Sequence, residues 1–149
     1  TYALVGVGIA DAFIASWYTK YKINLLRPKT YAQEFLNMPD WEPLIETPPF
    51  PEYASGHSVV STVAAELLTE IFGENYSLID STHVSIGLEP RKINSFRDAA
   101  LEASMSRVYG GIHFMFAIDA GIEQGLCVKQ TILNKIKLRK DNTLNISNK

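Results

Sequence analysis

Apolar positions along this chain recur at helical spacing, and no stretch alternates apolar with polar residues long enough to commit to a sheet. Residues 4–26 carry apolar side chains almost all round a helical wheel, which predicts a buried helix that Pro28 stops. A shorter helix is expected over 30–36. Pro39, Pro43, Pro48, Pro49 and Pro51 make 37–54 a loop, too rigid for helix and too rich in aromatics for a mere linker. Over 58–72, Val59, Val60, Val63, Ala64, Leu67, Leu68 and Ile71 form a continuous stripe that Gly73 ends. The segment 74–93 suggests only a small hairpin around 84–88. A helix over 95–109 begins at a Ser cap and breaks at Gly110-Gly111. The last helix is expected over 113–137, where Gly121 and Gly125 permit a neighbouring helix to come close. The fold class expected is all-α, a helical bundle.

Composition narrows this picture. With 149 residues, 46% apolar and 20% charged, the chain fits one globular domain and is too apolar for disorder. The net charge of -2 offers no general basic field for nucleic acid. Basic residues gather from Lys135 onward, so 138–149 reads as a flexible basic tail. The single cysteine, Cys127, excludes an intrachain disulfide and a multi-cysteine zinc site, and its apolar surroundings predict burial. Residues 2–17 are apolar, but they are too short for a transmembrane span and carry Asp11. Asp11 reads either as a buried hydrogen-bond partner near a site or as a core-edge carboxylate. The chain opens without methionine and is expected to begin inside a longer protein.

Three segments carry chemistry. Lys20 and Arg27 stand two turns apart on the predicted first helix, facing one way, about 10 Å apart along its axis. Cations on an apolar helix imply a negative partner, since burying an uncompensated charge is costly. Ser55-Gly56-His57 opens the next long helix, where free N–H groups and the dipole suit an oxyanion and His57 suits acid–base work. Arg107 precedes His113 by six residues, and the Gly110-Gly111 break lets both point into one pocket. Each segment alone also fits an ordinary capped or solvated helix end. Together they suggest a cage for phosphate or a similar oxyanion, with no carboxylate cluster to hold a divalent metal.

In order and spacing, Lys20-x6-Arg27-Pro28, Ala54-Ser55-Gly56-His57 and Ser106-Arg107-x5-His113 resemble the three-part signature of a known superfamily. It joins type-2 phosphatidic acid phosphatases, bacterial non-specific acid phosphatases and vanadium-dependent haloperoxidases. Ala10-Asp11-Ala12, Trp17-x2-Lys20 and the run from Thr47 to Tyr53 look like the chloroperoxidase-like branch, in which Trp17 and Phe50 would line the halide pocket. The resemblance implies that Lys20, Arg27, Ser55, Gly56 and Arg107 hold the equatorial oxygens of vanadate or phosphate. His113 would bond to vanadium or attack phosphorus, and His57 would be the acid–base group. The implied cofactor is vanadate (phosphate for a phosphatase), with no divalent metal.

Three functions stay open on this resemblance. One is a vanadate-dependent haloperoxidase-like enzyme oxidising halide with hydrogen peroxide. Another is a metal-independent acid phosphatase working through a phosphohistidine, and the third is an inactive phosphate-binding domain. Ala54 replaces the usual proline, Met115 stands where relatives have Arg or Pro, and Ala117 stands where they often carry an acid that orients the last histidine. The partners implied are peroxide and halide, or a phosphoester, with neither nucleic acid nor a transmembrane span. Haloperoxidase bundles begin well before the lysine motif. Residues 1–149 are therefore expected to form the C-terminal portion of one helical domain, incomplete at its N-terminal side. Upstream helices or a partner chain would pack against 2–17, and a periplasmic or secreted location is implied by resemblance alone.

Overall fold

The computed structural model describes residues 1–136; the tail expected over 138–149 lies outside the described residues. Among the described residues five helices form the bundle: α1 (Tyr2–Ile23), α2 (Pro28–Phe35), α3 (Gly56–Phe72), α4 (Phe96–Tyr109) and α5 (Met115–Lys135). Between α3 and α4, β1 (Leu78–Asp80) pairs antiparallel with β2 (Arg91–Ile93), and a 3-10 turn, Val84–Ile86, lies between them. A hairpin is present, as expected, but 84–88 is its connection. Gly87 adopts a left-handed conformation there, which ends the turn.

Helix α3 is the centre of the bundle. Ser55 caps it, its Oγ accepting from the Ser58 N–H at 3.3 Å, and Val59, Val63 and Leu67 are fully buried at four-residue spacing. They meet Leu4 and Ala12 of α1 and Ile132 of α5 in one apolar cluster. On α5, a Cβ at Gly121 would lie 2.7 Å from Ser58 Cβ and 2.8 Å from the Ser55 carbonyl oxygen, so glycine there lets α5 touch the start of α3. Helix α4 begins at the Ser95 cap, whose Oγ accepts from the Asp98 N–H. Arg97 then reaches across to Glu66 on α3 and to Glu74, while Lys129 of α5 pairs with Glu70 at 2.8 Å. Trp41 and Pro43 fold the proline-rich loop onto Gly111, whose φ of 74 needs a glycine.

Four expectations change. Helix α1 ends at Ile23 because Asn24 takes a left-handed conformation and its N–H closes on the Lys20 carbonyl; Pro28 starts α2 at its first turn rather than stopping α1. Helix α1 is not buried all round. Only the stripe Leu4, Gly8, Ala12, Ser16 and Lys20 is covered, while Ile14, Tyr18 and Tyr21 are exposed and Asp11 is too. The stretch Tyr2–Phe35 is also long and apolar enough, by length and composition, to cross a membrane, so the expectation of no segment of that length does not hold. Core helices of globular proteins meet the same criterion, and here the covered stripe packs on α3. Cys127 is exposed, since helical periodicity alone does not say which face a neighbour covers.

Candidate functional site

The three segments do converge, although not by the route their spacing suggested. Lys20 stays on α1, but Arg27 lies beyond the helix end, in extended conformation as the N-cap of α2. Its guanidinium therefore turns inward independently of the α1 wheel. Arg27 Nε donates to the Phe50 carbonyl at 2.9 Å, Nη1 donates to the Ile112 carbonyl at 2.9 Å, and Nη1 lies 3.1 Å from His113 Nε2. Among the described residues, Arg27 Nη2 is buried without a partner, and so is Nε of Arg107. Lys20 is fully buried, its Nζ donating to the carbonyls of Pro51 and Glu52, both at 3.0 Å. The Phe50 ring lies 5.4 Å from Lys20 Nζ and 5.0 Å from the Arg27 guanidinium carbon, so one aromatic ring serves both cations.

A cavity of about 270 Å³ opens beside this cluster. Gly56, His57, Arg107, His113, Trp17 and Phe50 line it; Lys20, Arg27 and Ser55 are not among its walls. Ser55 is fully buried, and its Oγ accepts from both the Ser58 N–H and the Ser58 hydroxyl, which leaves its own proton to give. A Cβ at Gly56 would make ordinary contacts with Ser16 Oγ at 3.4 Å and with Lys20 Cε and Trp17 at 3.6 Å, so the start of α3 lies directly against α1. The aromatic wall is continuous, Trp17 stacking on Phe13 at 4.0 Å and meeting Phe50 at 5.0 Å.

The charges press on one another. Burial lowers Lys20 to about 8, with the Arg27 charge adding to the effect and Glu52 opposing it. Burial also holds Arg27 below its ordinary value, Glu52 pulling it up and Arg107 pushing it down. His57 has an open edge, yet desolvation of its inner edge, and then the charges of Arg107, His113 and Lys20, depress it below 6.5. Burial does the same to His113 against the opposing pull of Glu52. Burial and, after it, the neighbouring cations disfavour protonation across the cluster.

Two residues of this site were not singled out from sequence. Phe13 was one apolar residue among many, and its signal was its place one turn before Trp17. Glu52 is fully buried in the proline-rich loop, its Oε1 lying 2.6 Å from His113 Nδ1 and accepting from the Phe114 N–H at 3.0 Å. A lone carboxylate three residues before Ser55 was its only mark. Ala117, where an acid was looked for, is fully buried with its carbonyl accepting from the Ser55 N–H. Among the described residues, no three His, Cys, Asp or Glu side chains gather as a cation site.

Comparison with known proteins adds the family. A search of curated protein sequences finds no match. Among solved structures, a bacterial vanadium-dependent iodoperoxidase is 47% identical, with a TM-score of 0.88 over 95% of this chain and 34% of its own. A holo-type bacterial vanadium-dependent chloroperoxidase, 19% identical, shares the fold with a TM-score of 0.73 over 87% of this chain and 34% of its own. This chain thus spans about a third of the length of those structures. The family model of the VCPO second helical-bundle domain matches residues 29–140, and the chain belongs to that family, within the vanadium haloperoxidase superfamily.

Proposed function

We propose that this chain is the oxyanion-binding part of a vanadate-dependent haloperoxidase-like enzyme, residues 1–149 forming the C-terminal portion of one helical domain. The observation that carries this reading is unused donor capacity beside one cavity. Arg27 Nη2 and Arg107 Nε are buried without partners, near a histidine nitrogen that accepts from Arg27. Each buried unpaired donor costs about 1–3 kcal/mol, and more when charged, so the arrangement favours a ligand with several acceptor oxygens.

Vanadate fits this donor set. Arg27, Arg107, Lys20, Ser55 and the Gly56 N–H at the start of α3 would hold its oxygens, and His113 Nε2 would bond to vanadium. When bound, vanadate supplies the electrophilic centre at which hydrogen peroxide is activated to oxidise a halide. The chain's own groups do the rest. His57, which burial and then the charges of Arg107, His113 and Lys20 hold below its ordinary value, accepts a proton at the open side of the cavity and returns it as the ligand turns over. Phe13, Trp17 and Phe50 keep that side apolar, which strengthens the cations' field inside.

The likeness to an iodoperoxidase makes iodide the first halide to try. Peroxide-dependent iodide oxidation should require vanadate and be lost in His113→Ala, with vanadate affinity falling as well. Hydrolysis of an aryl phosphate that vanadate inhibits, without any halide oxidation, would make the protein a phosphatase. Phosphate binding with neither activity would leave an inactive binding domain.

A further inference from the structure

Arginine carries only donors, so the 3.1 Å approach of Arg27 Nη1 requires His113 Nε2 to be the acceptor. The ring proton must then sit on Nδ1, and Nδ1 faces Glu52 Oε1 at 2.6 Å. Both ring nitrogens are therefore assigned by their partners. The same Oε1 accepts from the Phe114 N–H, so the carboxylate grips the residue next to the histidine as well as its ring. Glu52 is itself fixed, its backbone N–H donating to the Leu25 carbonyl at 2.9 Å and its carbonyl accepting from Lys20 Nζ. One residue thus ties the lysine motif to the histidine motif, with Leu25 two positions from Arg27.

We propose that Glu52 is the positioning residue of His113: its carboxylate keeps the proton on Nδ1 and aims the Nε2 lone pair at the Arg27 guanidinium and the anion cage. The proposal rests on the reading above that Nε2 is the atom that bonds to the oxyanion's central atom. Helix α5 cannot supply this group, because Ala117 is packed without exposure against the start of α3 and Asp119 is exposed. The orienting acid comes instead from the proline-rich loop, sixty-one positions earlier in the chain.

Nitrogen NMR of the full chain labelled at histidine tests this without any variant. Anion-free His113 should show a protonated Nδ1 and an unprotonated Nε2; the opposite tautomer would overturn the proposal. Glu52→Gln keeps an acceptor oxygen for both donors and should keep the Nδ1 proton protected from exchange with water, whereas Glu52→Ala leaves Arg27 alone to hold the tautomer and should let that proton exchange; equal protection in both variants would overturn the positioning role. Affinities supply the second readout. Outer-shell partners of ligating histidines change metal affinity by about 10–100-fold. Glu52→Ala should therefore weaken vanadate by about that factor beyond any change in phosphate affinity, since phosphate needs no bond to Nε2 and feels only the altered charge on Lys20 and Arg27. Equal weakening of both would mean that Glu52 merely braces its loop, and would sink the positioning role. If the unmutated protein shows the expected tautomer but binds neither anion, the cage reading fails while the Glu52–His113 geometry stands.

Discussion

Lys20 illustrates how one buried side chain sets a condition on the whole site. Its ammonium is satisfied by the Pro51 and Glu52 carbonyls, which orient it but carry no full charge, and burial lowers it to about 8. In anion-free protein the lysine is charged below that pH and neutral above it. An incoming oxyanion favours the charged form, so above pH 8 binding must take up a proton. Phosphate affinity should then fall by about tenfold per pH unit until the raised value of the complex is reached. Calorimetric titrations from pH 7 to 10 check this. Lys20→Met should bind phosphate more weakly throughout and lose the downward slope, whereas an unbroken plateau across pH 8 in the natural protein would contradict it. At this scale the convergence of Lys20, Arg27, His57, Arg107 and His113 was legible, because their types and order mark them out together. The Glu52–His113 bond was not, since it depends on the path of a loop whose partner lies on another element.

Between elements, the decisive contact is α5 against the first turn of α3. A methyl at Gly121 would overlap both Ser58 Cβ and the Ser55 carbonyl, atoms of the turn that presents Gly56 and His57. Because the carbonyl is backbone, the overlap cannot be relieved by a side-chain rotation. Gly121→Ala should cost about 1–3 kcal/mol, as overpacked cores do, and should weaken phosphate binding because the α3 terminus must move. Gly6 is the matched control. Nothing lies within 4 Å of a Cβ placed there, so Gly6→Ala on α1 should stabilise by about 0.5–1 kcal/mol and leave binding alone. Thermal melts with phosphate titrations on the two variants read both effects. The cap Ser95, the stop at Gly73 and the close-packing Gly121 and Gly125 were legible because each is a local signal. The end of α1 was missed because its apolar pattern runs past Asn24, where the backbone turns left-handed and frees Arg27 from the helix.

At the scale of the whole molecule, α1 has two faces of similar character but opposite fate. Its covered stripe, Leu4 to Lys20 in steps of four, lies against α3 and α5. Ile14 follows Ala12 by two residues, hence about 200° round the helix, and leads through Tyr18 to Tyr21. These three are 68%, 67% and 61% exposed, with Val7 beside them. An apolar strip of that kind on a helix with a buried opposite face is what a second layer of helices would cover. The wheel could not show this, since residues that are apolar all round specify burial without saying by what. The 149-residue chain by itself should therefore associate at rising concentration and bind an apolar dye, as followed by sedimentation velocity and fluorescence. Ile14→Lys with Tyr21→Lys should return it to a monomer. Phosphate affinity should survive that change, because neither side chain lines the cavity and Lys20 is held from the opposite face. A compact monomer that ignores the dye before any substitution would show that this face needs no cover. Loss of phosphate binding in the monomeric variant would instead mean that the outer face of α1 holds the helix, and with it Lys20 and Trp17, in register with the cage.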